Sequence, residues 1–554
     1  MGKTLVLAEK PSVARELARV LGCKQKGDGC LLGGQYIVTW ALGHLVTLAD
    51  PEAYGKQYQS WRLEDLPMLP EKMQLVVIKQ TAKQFHAVSH LLHRQDVDTL
   101  IIATDAGREG ELVARWIMQK AGWKGKTKRL WISSQTDKAI REGFAHLKPS
   151  AEYDNLYRAA QGRAEADWLV GLNVTRALTC KHNAQLSAGR VQTPTLALIV
   201  QREEEIRAFR PREYFCVQAQ FDGFRALYRD EKGQSRFFDR AQAERIVSSC
   251  AGQDAVVSRL HKEQKKLPPP AAYDLTELQR DANKKYAYSA KQTLSIMQRL
   301  YETHKLLTYP RTDSRYLSDD VVPTLPERLR GIMTGPYTPY ARAILRAKPI
   351  PTRYIVNNQK VTDHHAIIPT EEPADLSALS PEERNIYDLV VRRFLAVLSP
   401  PCEYEEINVT LTIGKHGFYA KGKIITNPGW KAVYGTEAAL EDSETEEEAE
   451  SQSFPVLTQG AKLPARRVYL SSGQTKPPAR YTEATLLTAM EHPGGQVQDQ
   501  KLRRALEETS GLGTPATRAD IIEKLFDSFC IERQGRSSAP PPRGGSSSGS
   551  SRPI

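Results

Sequence analysis

The sequence predicts a multidomain protein in which an α/β domain is followed by separate helical and sheet regions. Three observations lead there. At 554 residues the chain is too long for one hydrophobic core, and its length suggests three or four domains. Its first quarter alternates short apolar runs with helical patterning. After that the patterning runs helix, sheet, helix, sheet, helix, so several domains are expected to be discontinuous in sequence.

Residues 1–148 carry the strand-like runs KTLVLAE, QLVVI and DTLIIATD between helical segments, which is α/β patterning with a mainly parallel sheet. The N-terminus reads as strand then helix rather than as a signal peptide, because Glu9 interrupts a short apolar run. No run of 18 apolar residues exists, so no helical membrane span is expected, and the expected location is the cytoplasm. Residues 149–208 are helical, with apolar residues three and four apart in YDNLYRAAQGRAEADWLVGLNVTRALT. Residues 209–272 read as strands: EYFCVQAQFDGFRALYRD alternates and holds the turn signal Asp-Gly. The break KKLPPPAAYDL precedes a second helical region, 273–399. Strand patterning returns over 400–478 with INVTLTIGKHGFYAKGKII, and 479–536 is helical again. Residues 537–554 are rich in Ser, Gly and Pro and are expected to be disordered. That abrupt change of composition near residue 536 suggests a truncation or a shifted reading frame.

Hydrophobic residues make up 40% and charged residues 26%, as in ordinary soluble proteins. The formal net charge is +12. Residues 437–450 hold eight acids and no base, a solvated loop by pattern, so the rest of the chain carries +20. Such a surplus points to a polyanion, most simply nucleic acid. The seven cysteines form no C-x-x-C pair, which argues against a zinc ribbon or a disulfide framework.

Two strand ends carry acids. LVLAEKPSVA ends a strand at Glu9-Lys10, with Pro11 near a helix start, where proline is tolerated. TLIIATDAGREGELVARWI ends another at Asp105, followed by a helix with Glu109 and Glu111. Ligands of open α/β sheets gather at such strand ends, and convergent carboxylates there suit Mg²⁺. A pair of helix caps would look the same. In LLTYPRTDSRYLS, the residue before Pro310 is pushed into an extended conformation, and residues two apart then project to one side. Tyr309 and Arg311 therefore face one way. A surface turn or a nucleophile beside a phosphate-binding cation would each satisfy this stretch.

The segments LAEKPSVA, ATDAGREGELVARW, LSAGRVQTPTLALIV, LTYPRTDSRYLS, DHHAIIPT and GLGTPATRADIIEKL resemble, in order, the motif series of type IA DNA topoisomerases, in their bacterial topoisomerase III branch. The resemblance runs from about residue 3 to 535. It implies a toprim domain joined to a toroidal type IA topoisomerase core. The two sheet segments would form a hinged arch, and the helical region with Tyr309 would be a gate.

The resemblance also implies roles. Tyr309 would attack a phosphodiester of single-stranded DNA, forming a 5′-phosphotyrosine. That bond stores the energy needed for resealing, so ATP is not required; the chain has no G-x-x-x-x-G-K-[ST] loop. Glu9 would move protons. Lys10 and Arg311 would hold the phosphate. His364 or His365 would contact it near the cut. Mg²⁺ would sit on Glu9, Asp105 and Glu109. The family pattern D-x-D-R-E reads here Asp105-Ala106-Gly107-Arg108-Glu109, so the second aspartate is missing. Ser187, Ala188, Gly189, Arg190, Val191 and Gln192 form a small-residue stretch that lets backbone approach a strand. Trp168 and Arg176, eight apart on one helix face, and Trp61 would line the DNA groove, an aromatic beside a cation being the recipe for single strands. Expected partners are single-stranded, negatively supercoiled or catenated DNA and a DNA helicase. The products would be relaxed or decatenated DNA. A catalytically weakened single-stranded-DNA-binding relative is the alternative, with Gly107 and the unusual tail as its support. A toprim primase or nuclease would need neither the Tyr-Pro-Arg segment nor the arch. Topoisomerase I often carries C-terminal zinc modules, and none is present here.

Overall fold

The strand Lys3–Ala8 forms the middle of the first sheet because its residues are apolar on both faces. In this computed structural model, which describes residues 2–133, 135–361, 364–437, 454–496, 500–501, 503–504, 511–535 and 537–539, that sheet has seven strands. Their order is Gln25–Gly27, Cys30–Leu32, Tyr36–Trp40, Lys3–Ala8, Val97–Ala103, Lys126–Arg129, Lys148–Pro149. The four strands from Tyr36–Trp40 to Lys126–Arg129 run parallel. Successive side chains of a strand point to opposite faces. Leu5 and Leu7 accordingly join a cluster with Phe85, Leu100, Ile102 and Trp116, while Val6 and Ala8 join Val13, Leu17, Ile101 and Ile140 on the other side. Helices covering both faces explain the continuous apolar runs. Ala8 pairs with Ala103, so the two carboxyl ends deliver Glu9 and Asp105 to one level. Pro11 opens the helix Pro11–Val20, and Gly107 caps the helix Arg108–Ala121.

A second seven-stranded sheet interleaves two distant stretches of chain. Its order is Lys462–Leu463, Ala255–Leu267, Cys402–Ile413, His416–Asn427, Arg225–Tyr228, Glu213–Gln220, Arg467–Gln474. Gly414 sits at φ 60° between two of these strands, a left-handed conformation that costs glycine nothing. Between the two stretches lies a helical body built on Leu275–Tyr286, Ala290–Glu302 and Pro381–Val397, with a core that includes Leu278, Met297, Leu300, Ile367 and Phe394. The helix Gln192–Ala208 packs against the late segments Glu483–Glu491 and Pro515–Asp527 through Leu198, Ile199, Leu487 and Ile522.

Among the described residues no helix is long and apolar enough to cross a membrane, and all seven cysteines are free. The expectation of disorder from residue 537 fails at its start. Ser537–Ala539 is a strand paired with Glu532–Gln534, and the N–H of Ser538 donates to the carbonyl of Tyr481 at 2.7 Å. Backbone pairing needs no particular side chain, and Ser538 and Ala539 are small enough to be buried there. Residues 540–554, and 438–450 of the acidic run, lie outside the described residues.

Candidate active site

Glu9 and Asp105 meet at the strand ends. The backbone N–H of Asp105 donates to Glu9 Oε2 at 2.9 Å. Glu9 is only 8% exposed, and burial pushes its carboxyl up to about 7, with the charge of Asp105 adding to the rise. Burial likewise raises Asp105, while Lys10 and Arg311 pull it down. Two buried carboxyls side by side disfavour double ionisation, so the pair is built to receive positive charge or a proton.

Tyr309 reaches this pair from the helical body. Its phenol is 3.5 Å from Asp105 Oδ2, and its backbone N–H donates to the Ser133 carbonyl at 2.8 Å. The ring lies against His364 with centroids 4.3 Å apart, and edge-on to Tyr301 at 5.6 Å. Burial and the neighbouring Asp105 raise the phenol well above its ordinary range, so Tyr309 is neutral in the DNA-free protein.

Of the two histidines, the structure brings His364 to the tyrosine. Burial holds it down at about 3, so the ring is neutral. Its Nε2 faces the carbonyl of Ala106, which only accepts, so Nε2 carries the proton. Nδ1 then accepts from the Ser133 hydroxyl at 2.8 Å. His365 instead bonds the Ala366 carbonyl through Nδ1 at 2.7 Å.

The cations differ in state. Lys10 Nζ pairs with Glu302 Oε1 at 3.0 Å. The Nε of Arg311 is buried without a hydrogen-bond partner among the described residues. Burial opposes its charge, and the field of the neighbouring acids Asp105 and Glu9 helps to hold the guanidinium above its ordinary value. Behind the site, the buried Arg129 pairs with Glu111 at 3.0 Å and donates to the carbonyls of Thr104 and Asp105 at 2.8 and 2.7 Å. It also lies 5.1 Å from the ring of Trp131, which stacks on His364. Ser133, Glu302, Arg129 and Trp131 were missed by sequence reasoning. Arg129 closes the basic run KGKTKR ahead of the apolar LWI, a pattern that reads as a solvated charge run.

Glu109 does not join the other two carboxylates. It accepts from Arg163 at 3.3 Å and faces His44 at 3.8 Å, and the nearby His44 imidazole, ahead of Arg163, holds it below the usual carboxylate range. Among the described residues no group of three acidic, His or Cys side chains is placed to hold a metal. The expected trio thus reduces to Glu9 and Asp105, because Glu109 is paired with Arg163 and faces His44. Gly107 is extended at φ 176°, and a Cβ there would meet nothing within 4 Å. Two adjacent carboxylates fit Mg²⁺, which takes few protein ligands and keeps waters or phosphate oxygens.

Residues 151–546 match a DNA topoisomerase family model, and residues 4–135 match the Toprim domain. The chain belongs to the type IA DNA topoisomerase family. It is 58% identical over 539 residues to DNA topoisomerase 3 of Bacillus subtilis, covering 97% of this chain and 74% of that protein. It is 57% identical, with the same coverage, to DNA topoisomerase 3 of Bacillus licheniformis. Full-length topoisomerase I from Thermotoga maritima superposes with a TM-score of 0.71 at 25% identity, over 97% of this chain and 80% of that one. As a type IA topoisomerase of the topoisomerase III branch, the protein binds DNA, cleaves strands without ATP, relaxes supercoils and decatenates. Its toprim domain is a metal-binding fold.

The topoisomerase's predicted groove residues divide into two groups. Trp168 and Arg176 share a face of the helix Asp154–His182, but that face packs on the segment 49–61. The Trp168 indole N–H donates to the Ala49 carbonyl at 2.9 Å. Arg176 is 3% exposed and donates to the Tyr58 carbonyl at 2.8 Å. Both side chains are bonded to protein carbonyls. Trp61 is 46% exposed, with the Arg176 guanidinium 5.1 Å from its ring, so the aromatic faces outward while the cation braces it. In the stretch 187–192, Ser187 and Arg190 are exposed. Arg190 bonds Asp167 at 2.8 Å, Ala188 and Gly189 are tied by backbone to Thr175 and Thr193, Val191 packs in the core beside Leu198, and Gln192 is buried.

Proposed function

We propose that Tyr309 is the nucleophile of the type IA reaction in this chain. The observation that carries the proposal is the phenol of Tyr309 meeting Asp105 beside Glu9, with the nearby Arg311 Nε lacking a hydrogen-bond partner among the described residues. The phenol oxygen attacks the phosphorus of a single-stranded segment, and the bond to the 3′-oxygen breaks. The phenol proton leaves to a carboxylate or water as the bond forms. A protonated Glu9, whose carboxyl titrates at about 7, gives its proton to the leaving oxygen. Resealing reverses both transfers. Arg311 and Lys10 hold the phosphate oxygens with charge-assisted hydrogen bonds. His364, as a neutral ring against Tyr309, orients the phenol near the cut. Glu9 and Asp105 would hold Mg²⁺, which supplies positive charge beside the phosphate.

The site spans a joint. Tyr309 belongs to the helical body, whereas Glu9, Lys10, Asp105 and Ser133 belong to the first sheet and its loops. Thr136 with Glu371 and Lys138 with Glu327, each at 2.7 Å, cross the same joint. Opening it with one DNA end held on Tyr309 gives a passage for a second strand. Suitable substrates are negatively supercoiled or catenated DNA with an exposed single strand in the cytoplasm, with a DNA helicase as the partner that exposes it.

The test is a plasmid assay on the protein and on Tyr309→Phe, without ATP, titrating Mg²⁺. Topological change lost in Tyr309→Phe supports the assignment. Covalent DNA capture that persists in the phenylalanine variant sinks it.

A further inference from the structure

The residues that tie the two bodies together across the active-site joint include one that uses a phosphate-binding cation. Lys305 pairs with Glu16, Lys138 with Glu327, and Thr136 with Glu371. None of these partners is a predicted DNA contact. A further pair across the joint is Lys10 with Glu302, Nζ to Oε1 at 3.0 Å, with the side chains 31% and 19% exposed. Glu302 is the last residue of the helix Ala290–Glu302, next to Tyr301, whose ring meets Tyr309 edge-on. Lys10 follows Glu9 directly and immediately precedes the helix Pro11–Val20.

A carboxylate and a phosphodiester each bring one negative charge and oxygen acceptors to an ammonium. We propose that Glu302 is a positioning residue that, before DNA arrives, occupies the place of the scissile phosphate on Lys10, so that phosphate binding and this tie across the joint exclude one another. The inference rests on the reading that Lys10 holds the phosphate. Its pair with Glu302 is partly exposed, and such pairs exchange partners at little cost. The joint therefore keeps all its ties while empty and loses one when a strand is seated. By linkage, whatever loosens the joint also favours the phosphate on Lys10 by the same factor.

Binding of a fluorescent single-stranded oligonucleotide, followed by anisotropy at several salt concentrations without divalent cations, tests this. All proteins carry Tyr309→Phe, so that covalent capture does not enter. Glu302→Gln is expected to bind roughly 3- to 10-fold tighter. Its log–log salt dependence is expected to match the parent's, because Lys10 meets one phosphate in either complex, whereas Lys10→Gln is expected to flatten it by about 0.7, the increment for one phosphate contact on a single strand. Glu302→Asp is expected to return toward the parent. In a Lys10→Gln background the gain is expected to vanish. Glu302→Ala serves the same comparison if the amide disturbs the helix end. Unchanged or weaker binding by the Glu302 variants overturns the proposal, as does a gain that survives Lys10→Gln. If Lys10→Gln alone binds as well as the parent, the phosphate role of Lys10 is what fails.

Discussion

Glu9 and Asp105, 96 residues apart in sequence, are joined by a hydrogen bond of 2.9 Å from the Asp105 backbone N–H to the Glu9 carboxylate. The bond fixes both acids at the ends of paired parallel strands, while the side chain of Asp105 stays available to Tyr309. Charge is thereby concentrated in a buried place, and the position two residues beyond Asp105 carries no side chain.

That vacancy gives the first prediction. Gly107→Asp should fold normally, because the backbone is extended and a Cβ meets nothing within 4 Å. Thermal melts should place its stability within about 0.5 kcal/mol of the parent, as for an unstrained surface change. The Mg²⁺ concentration for half-maximal relaxation should fall, since a third carboxylate joins Glu9 and Asp105. An unchanged requirement would show that residue 107 does not face the ion.

The buried ion pair between Arg129 and Glu111 supports the loop that presents Asp105. Arg129→Met should destabilise the protein by about 1–3 kcal/mol, because the buried Glu111 keeps only its bond from Arg115 and the carbonyls of Thr104 and Asp105 lose their donor. Arg129→Met combined with Glu111→Leu should recover most of that loss. Urea unfolding monitored by circular dichroism reads both. A double variant no better than the single would mean that the backbone contacts of Arg129 outweigh the pair.

The two tryptophans of the predicted groove should separate by assay. Trp61→Ala should weaken single-strand binding by about 1–3 kcal/mol, the usual worth of one stacked base, with little effect on the melting temperature. Trp168→Ala should instead cost about 3–5 kcal/mol of stability, as for a large packed aromatic. Oligonucleotide binding at a fixed salt concentration, beside thermal melts, decides between them.

His365 gives a pH dependence of stability. Burial, with Arg328 adding to it, lowers its pKa from 6.5 to about 4 in the fold. As pH falls below 6.5 the unfolded chain takes up a proton that the folded chain refuses, so stability is lost down to about pH 4. The full loss is about 3 kcal/mol. His364 acts in the same direction, so the comparison is between the parent and His365→Gln. The variant should lose less stability between pH 7 and pH 5. Parallel pH profiles would contradict the assignment.

The sequence by itself determined the strand ends that carry Glu9 and Asp105, the helix starts at Pro11 and after Gly107, and the hairpin at Asp222-Gly223. These depend on residues close together in the chain: apolar runs, a proline where an N–H is spare, a glycine at a turn. It also placed Tyr309 and Arg311 in one short extended segment. Only the tertiary structure decided the rest. His364 rather than His365 meets Tyr309 because Ser133, 231 residues away, holds its ring. Glu109 leaves the acidic pair because Arg163 and His44 come within reach. Trp168 and Arg176 turn inward because backbone carbonyls of Ala49 and Tyr58 accept their protons. Lys10 finds Glu302 across 292 residues. Each outcome is a choice among partners of nearly equal chemistry, and distance in the folded chain, which no local pattern encodes, makes that choice.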